Sequence, residues 1–154
     1  MHFPTVQGSN LERRRFNVPG DLAGEKNLVI LAFWRDQQML VDTWMPLARR
    51  LQQRHGNLVA YELPIIEARN RLARLFIDNG MRAGIPDRTV REHTITLYVD
   101  KARFLESLEI EDQSTIHALL IDRSGRVLWQ TSGPLDPEKE VALSEFLEPC
   151  PSAA

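Results

Sequence analysis

Residues 27–34 read Asn-Leu-Val-Ile-Leu-Ala-Phe-Trp, seven apolar side chains in succession after one amide. A strand with one face in water alternates polar and apolar residues, and this run has no polar side to turn outward. It predicts a strand covered on both faces. That is the place of a central strand in a largely parallel sheet with helices above and below.

The flanking segments fit that plan. Gln37 to Arg54 carries Leu40, Trp44, Leu47, Ala48 and Leu51 at helical spacing and ends near Gly56. Pro46 inside it predicts either a kink or the true first turn of the helix. Leu58 to Leu63 reads as a second strand, stopped by Pro64. Glu67 to Asn79 reads as an amphipathic helix with Arg69, Arg71 and Arg74 on its exposed side, ending at Asn79-Gly80. Met81 to Glu92 is expected as a loop with room for one helical turn, and Thr94 to Val99 as a third strand. Lys101 to Leu108 is a short helix that Asp100 would cap. Thr115 to Asp122 is a fourth strand, turning at Ser124-Gly125 into an antiparallel return over Arg126 to Thr131. Pro137 to Leu147 closes the chain as a helix with Asp136 at its cap. Near the start, Phe3 to Gln7 and Leu11 to Phe16 read as a hairpin around Gly8-Ser9-Asn10. The predicted architecture is one α/β domain over residues 1–148, followed by a flexible tail at 149–154. Its layers are a three-layer sandwich around a mixed sheet of about five strands, with the hairpin beside it.

The 154 residues are 43% hydrophobic and carry a formal net charge of −2, so a real core is expected and a dedicated nucleic-acid binder is not. Charge is unevenly placed: residues 49–91 hold nine arginines against four acids, and residues 92–154 hold five basic against twelve acidic groups. One cysteine, Cys150, cannot form an internal disulfide, a CxxC pair or a cysteine zinc site. The four histidines form no HxxxH or HExxH pair, so neither metal nor cofactor is expected. The start of the chain lacks a signal peptide's basic stretch and apolar core. No run of residues is apolar enough to span a bilayer. The expected location is cytoplasmic, with peripheral attachment to a membrane left open.

Five segments carry a resemblance: Phe33-Trp34, Met45-Pro46, Leu120-Ile121-Asp122, Gly125-Arg126-Val127 and Gly133-Pro134-Leu135. With the order of elements, they resemble the thioredoxin-like superfamily in its TlpA-like and peroxiredoxin-like branch. The resemblance implies an N-terminal hairpin and a helix–strand unit inserted after the second core strand. It also implies a CxxC between Phe-Trp and Met-Pro, at positions filled here by Gln38 and Val41. The cis-proline position falls at Ile116. Disulfide exchange needs a thiolate, so the resemblance implies the scaffold without its usual chemistry. Phe3-Pro4, Trp44 with Pro46, Arg82-Ala83-Gly84-Ile85-Pro86, Trp129 and Gly133 further resemble the assembly factor family of the mitochondrial ATP synthase proton channel and its bacterial relatives. That likeness implies a redox-inactive assembly factor or chaperone whose partner is a membrane-complex subunit.

The candidate site follows from the residues around the CxxC positions. Trp34, Arg35, Gln38, Met39, Val41, Ile116 and His117 are expected to form an apolar partner-binding cleft, between the Trp34 to Val41 turn and the Ile116 loop. Arg69, Arg71, Arg74, Arg82, Arg88 and Arg91 are expected as a charged docking face. Trp34, Trp44 and Trp129 are each expected in the core or half-buried at its edge rather than as interface hot spots. No catalytic residue is assigned. The alternative is a thiol-dependent peroxidase or oxidoreductase-like enzyme using Cys150, or a remodelled small-molecule site on the same fold. Cys150 follows an acidic helix, which does not favour its thiolate.

Overall fold

The run at residues 27–34 forms the strand β3 (Lys26–Ala32), buried over six of its seven residues. The computed structural model describes residues 1–67 and 87–147. Before β3 come β1 (Val6–Asn10) and β2 (Arg15–Val18); after it come a 3-10 turn (Arg35–Gln37), α1 (Gln38–Asp42), α2 (Met45–Arg54) and β4 (Leu58–Glu67). The rest of the described chain is α3 (Arg88–Glu92), β5 (Ile95–Val99), α4 (Lys101–Ser107), β6 (His117–Asp122), β7 (Val127–Ser132) and α5 (Pro137–Leu147).

The strands make a seven-stranded sheet in the order β2-β1-β5-β4-β3-β6-β7. β3 pairs parallel with β4 and antiparallel with β6, and β4 pairs parallel with β5. Alternate residues of β3 enter two cores. Val29 and Leu31 join Phe3, Phe16, Tyr61 and Phe104 on one face, while Leu28 and Ile30 join Val41, Trp44, Leu47 and Leu143 on the other.

About five strands with a separate hairpin were expected, and the sheet has seven because β1 pairs with β5 as well as with β2. Gly8 permits this. A Cβ there would stand 2.5 Å from the Thr96 carbonyl oxygen and 2.7 Å from Leu97 Cδ2. The sequence reading used Gly8 as a turn residue; it is instead a close approach of two backbones. The turn lies later, where Asn10 Oδ1 accepts from Glu12 N at 3.0 Å and Arg14 N at 2.9 Å, and Arg13 takes φ 66°.

Two further boundaries moved. The long helix expected from Gln37 to Arg54 is broken into α1 and α2, with Pro46 in the first turn of α2. Trp44, at the break, is fully buried and donates Nε1–H to the Gly133 carbonyl at 3.1 Å. Pro64 does not stop β4. Its ladder to β3 ends at Ala32–Pro64 and its ladder to β5 begins at Ile65–Leu97, so the missing N–H falls where pairing changes sides. The helix expected over Glu67 to Asn79, with Arg69, Arg71 and Arg74, lies outside the described residues beyond its first position, as do Arg82 and the tail. Among the described residues no helix is long and apolar enough to cross a membrane.

Candidate functional site

The chain leaves the end of β3 through Phe33, which is buried, and Trp34, which is 57% exposed. Gln37 holds this turn. Its Oε1 accepts from Phe33 N at 2.8 Å and Trp34 N at 3.2 Å, and its Nε2 donates to the Gln113 carbonyl at 2.7 Å. A buried amide with all three bonds made is a rigid pin, and its loss would strand two N–H groups. Trp34 is also covered on one side by Lys101, whose Nζ lies 4.2 Å from the ring centroid. Burial holds the Lys101 ammonium's pKa below the usual lysine range, against the pull of the nearby Glu67 carboxylate. Beyond the pin, Met39 is 79% exposed on α1, and Arg35 and Gln38 are exposed with it.

Sequence reasoning named Gln38 at this turn and missed Gln37. The signal was present: Gln37, Val41 and Trp44 are spaced i, i+4, i+7, so the phase that buries Val41 and Trp44 also buries Gln37.

The expected cleft toward Ile116 is filled. Val41 and Ile116 have no exposed surface and pack in one core with Trp44 and Leu143. They cannot touch a partner without unfolding that core. His117 is also buried, edge-on to Phe33 at 5.9 Å, with Nε2 2.7 Å from the Asp112 carbonyl oxygen. Of the seven residues expected in the cleft, the structure leaves Trp34, Arg35, Gln38 and Met39 exposed and buries Val41, Ile116 and His117. Of the arginine face, Arg88 pairs with Glu92 at 3.0 Å and Arg91 with Glu12 at 2.6 Å, so both are engaged within the chain.

Among the described residues, a groove is lined beside α1 instead. It has a volume of about 1130 Å³, with Trp34 and Gln38 at one end and Thr89, Val90 and His93 at the other. α1 and α2 supply Asp42, Met45 and Arg49 to its wall, and β4 supplies Glu62, Pro64 and Ile66 to its floor. Glu62 is the unusual member, an acid only 7% exposed. Burial pushes its carboxyl up to about 7; a hydrogen bond from Gln38 works against that rise, and the Asp42 carboxylate adds to it. Gln38 donates Nε2–H to Asp42 Oδ1 at 3.0 Å. Among the described residues no cation forms an ion pair with either acid. Glu62 too was legible as the single acid inside the apolar strand Leu58 to Leu63. Among the described residues no three metal-ligating side chains converge.

No family model matches the chain, and no curated protein matches it in sequence. Solved structures do match. A thiol:disulfide interchange protein from Bacteroides sp. superposes with a TM-score of 0.64 at 14% identity, over 99% of this chain and 91% of that one. The exposed lipoprotein thioredoxin of Streptococcus pneumoniae gives 0.60 at 11% identity, over 94% and 98%. BsSco, a member of the Sco family of cytochrome c oxidase assembly proteins, gives 0.61 at 15% identity, over 94% and 90%. The fold is thioredoxin-like. At these identities the fold is what the likeness establishes. Within the thioredoxin-like fold, the two positions expected for the thiol pair fall at the exposed start of α1, Gln38, and one turn inside it, Val41.

Proposed function

We propose that this thioredoxin-like protein binds a segment of another protein noncovalently, at the face that carries Trp34 and Met39. The observation that carries this reading is the exposure of two large apolar side chains, Trp34 and Met39, on either side of Gln37, which holds the turn, at positions where the sequence has no thiol. A rigid aromatic anchor loses little conformational entropy on binding, and an adaptable methionine beside it tolerates varied partners. The likeness to the proton-channel assembly family makes a subunit of a membrane complex such as ATP synthase the first partner to test. That BsSco belongs to a family of cytochrome c oxidase assembly proteins is in keeping with an assembly role on this fold. The test is a crosslinking pull-down from detergent-solubilised cells with wild type and with Trp34→Ala/Met39→Asp. Recovery of a proton-channel subunit by wild type and its loss in the variant is the expected result. Equal recovery from both would move the site elsewhere, and recovery from neither would remove this partner.

A second reading is favoured by the neighbours described as a thiol:disulfide interchange protein and a lipoprotein thioredoxin: an oxidoreductase-like enzyme that uses Cys150. Peroxide turnover lost on Cys150→Ser would establish it in place of the first.

A further inference from the structure

We propose that the outer edge of β7 pairs with the same edge of a second copy of this chain, antiparallel about a two-fold axis. The inference goes beyond the capture reading and does not use the Trp34 and Met39 side chains.

β7 ends the sheet, and β6 is its one neighbour among the strands. The start of the chain closes part of its outer side. Phe3 N–H donates to the Gly125 carbonyl at 2.7 Å and Val127 N–H donates to the Met1 carbonyl at 2.9 Å, on either side of the His2–Arg126 bridge. That closure stops at Val127. From Leu128 to Ser132 no described residue supplies a backbone partner on the side away from β6. The opposite edge of the sheet is guarded: β2 is four residues long, begins with Arg15 and is followed by Pro19. Val127 to Ser132 contains neither a charge nor a proline, and such an edge is a template for another strand.

The occupant follows from the charges at the two ends of this edge. Before it stand Arg123 and Arg126, both exposed and without an ion pair among the described residues. Asp122 beside them offsets one of the two, and its Oδ1 accepts from Ser124 N, Ser124 Oγ and Arg126 N. After the edge come Asp136 and Glu138. Lys139 lies 3.6 Å from Asp136, while Glu138 is exposed and has no cationic partner among the described residues. One end is therefore net basic and the other net acidic. Laid antiparallel, two copies bring each basic end to an acidic end; laid parallel, they would set like charges together. A two-fold interface must use the same strip on both copies, and this strip complements itself. Centred on Gln130, the pairing sets Leu128 opposite Ser132 of the second copy and Arg126 opposite its Pro134, beside the start of its α5. Val127 packs on the face that holds Phe104, so Arg126 before it points to the other face, where α5 lies.

The test is sedimentation velocity from the micromolar to the near-millimolar range, with hydrogen exchange at both extremes. Wild type is expected to dimerise, and amides between Leu128 and Ser132 to gain protection as the concentration rises. Arg126→Glu and Glu138→Arg are each expected to weaken the dimer about tenfold, the effect of reversing two symmetry-related contacts, and the double variant to recover it. Both residues are exposed, so each variant keeps the fold. Trp34→Ala/Met39→Asp should dimerise as wild type does, which separates failure of this interface from failure of the capture reading. A monomer at every concentration would overturn the inference, as would a dimer indifferent to the single reversals or not restored by the double one. Unchanged protection along β7, or dissociation in the Trp34→Ala/Met39→Asp variant, would overturn it equally.

Discussion

Replacing Glu62 by glutamine is expected to stabilise the fold above neutral pH and to do almost nothing in mild acid. The reason is the buried carboxyl, held near 7 in the folded protein against an ordinary value of 4.5. Below 4.5 the group is protonated in the folded and unfolded chains alike and costs nothing. Between 4.5 and about 7 the unfolded chain gives up the proton while the folded chain keeps it, so stability falls as pH rises. Above that window both forms are ionised and the loss is complete. At about 1.4 kcal/mol per pH unit, the span of roughly two and a half units corresponds to a penalty on the order of 3 kcal/mol. Glutamine keeps the shape and removes the titration. Urea unfolding of both proteins at intervals from about pH 4 to 8 isolates the effect, because every other titrating group is shared and cancels in the difference. The two proteins should coincide near the acid end and diverge by about 3 kcal/mol at the alkaline end, with equal m-values. A difference that stays flat across the range would refute the reasoning, since it would mean that the carboxyl is solvated or paired. A variant less stable than wild type at pH 8 would refute it more directly.

Other residues invite simpler tests. Gln37→Leu leaves the Phe33 and Trp34 N–H groups without acceptors and should cost at least about 2 kcal/mol in urea unfolding, with a shift in Trp34 fluorescence. Asn10→Ala removes the acceptor for two turn N–H groups and the donor to the Glu92 carbonyl, and should cost about 2 kcal/mol, read as a lowered Tm. Gly8→Ala forces β1 away from β5 and should cost more than an ordinary strand substitution, over about 2 kcal/mol, with lost amide protection at Thr96 and Leu97 in hydrogen exchange. Lys101→Met should change stability by under about 1 kcal/mol but alter the emission of the exposed Trp34.

The fold was legible wherever the hydrophobic pattern had one reading. The run at residues 27–34 had no polar face, and it became β3, buried on both sides. Pro137 to Leu147 had a cap and a proline at its first position, and it became α5 without a shift. Legibility failed where one residue serves two kinds of structure. Gly8 is a turn former in a linear reading and a point of backbone contact in the sheet, and only the partner strand decides between them. Pro64 is a strand breaker unless pairing changes sides at that residue, which depends on β5 more than thirty residues away.

The candidate site was half legible for a related reason. A pattern of family positions places Gln38, Val41 and Ile116 together along the chain map but carries no burial. Burial separates them: the helix phase that seats Trp44 under Gly133 also sinks Val41, and it leaves Gln38 facing the groove rather than the Ile116 loop. With Gln38 and Val41 at the positions expected for a thiol pair, the packing on the Ile116 side is filled with apolar side chains. The same phase puts Gln37 beneath the turn, so one amide fixes Trp34 outward while its neighbour donates to Asp42 and lines the same groove as Glu62. The two glutamines therefore divide the role expected of one. The first positions the aromatic anchor, and the second tunes the charge beside it, which is why perturbing Gln37 should move stability while perturbing Glu62 should move its pH dependence.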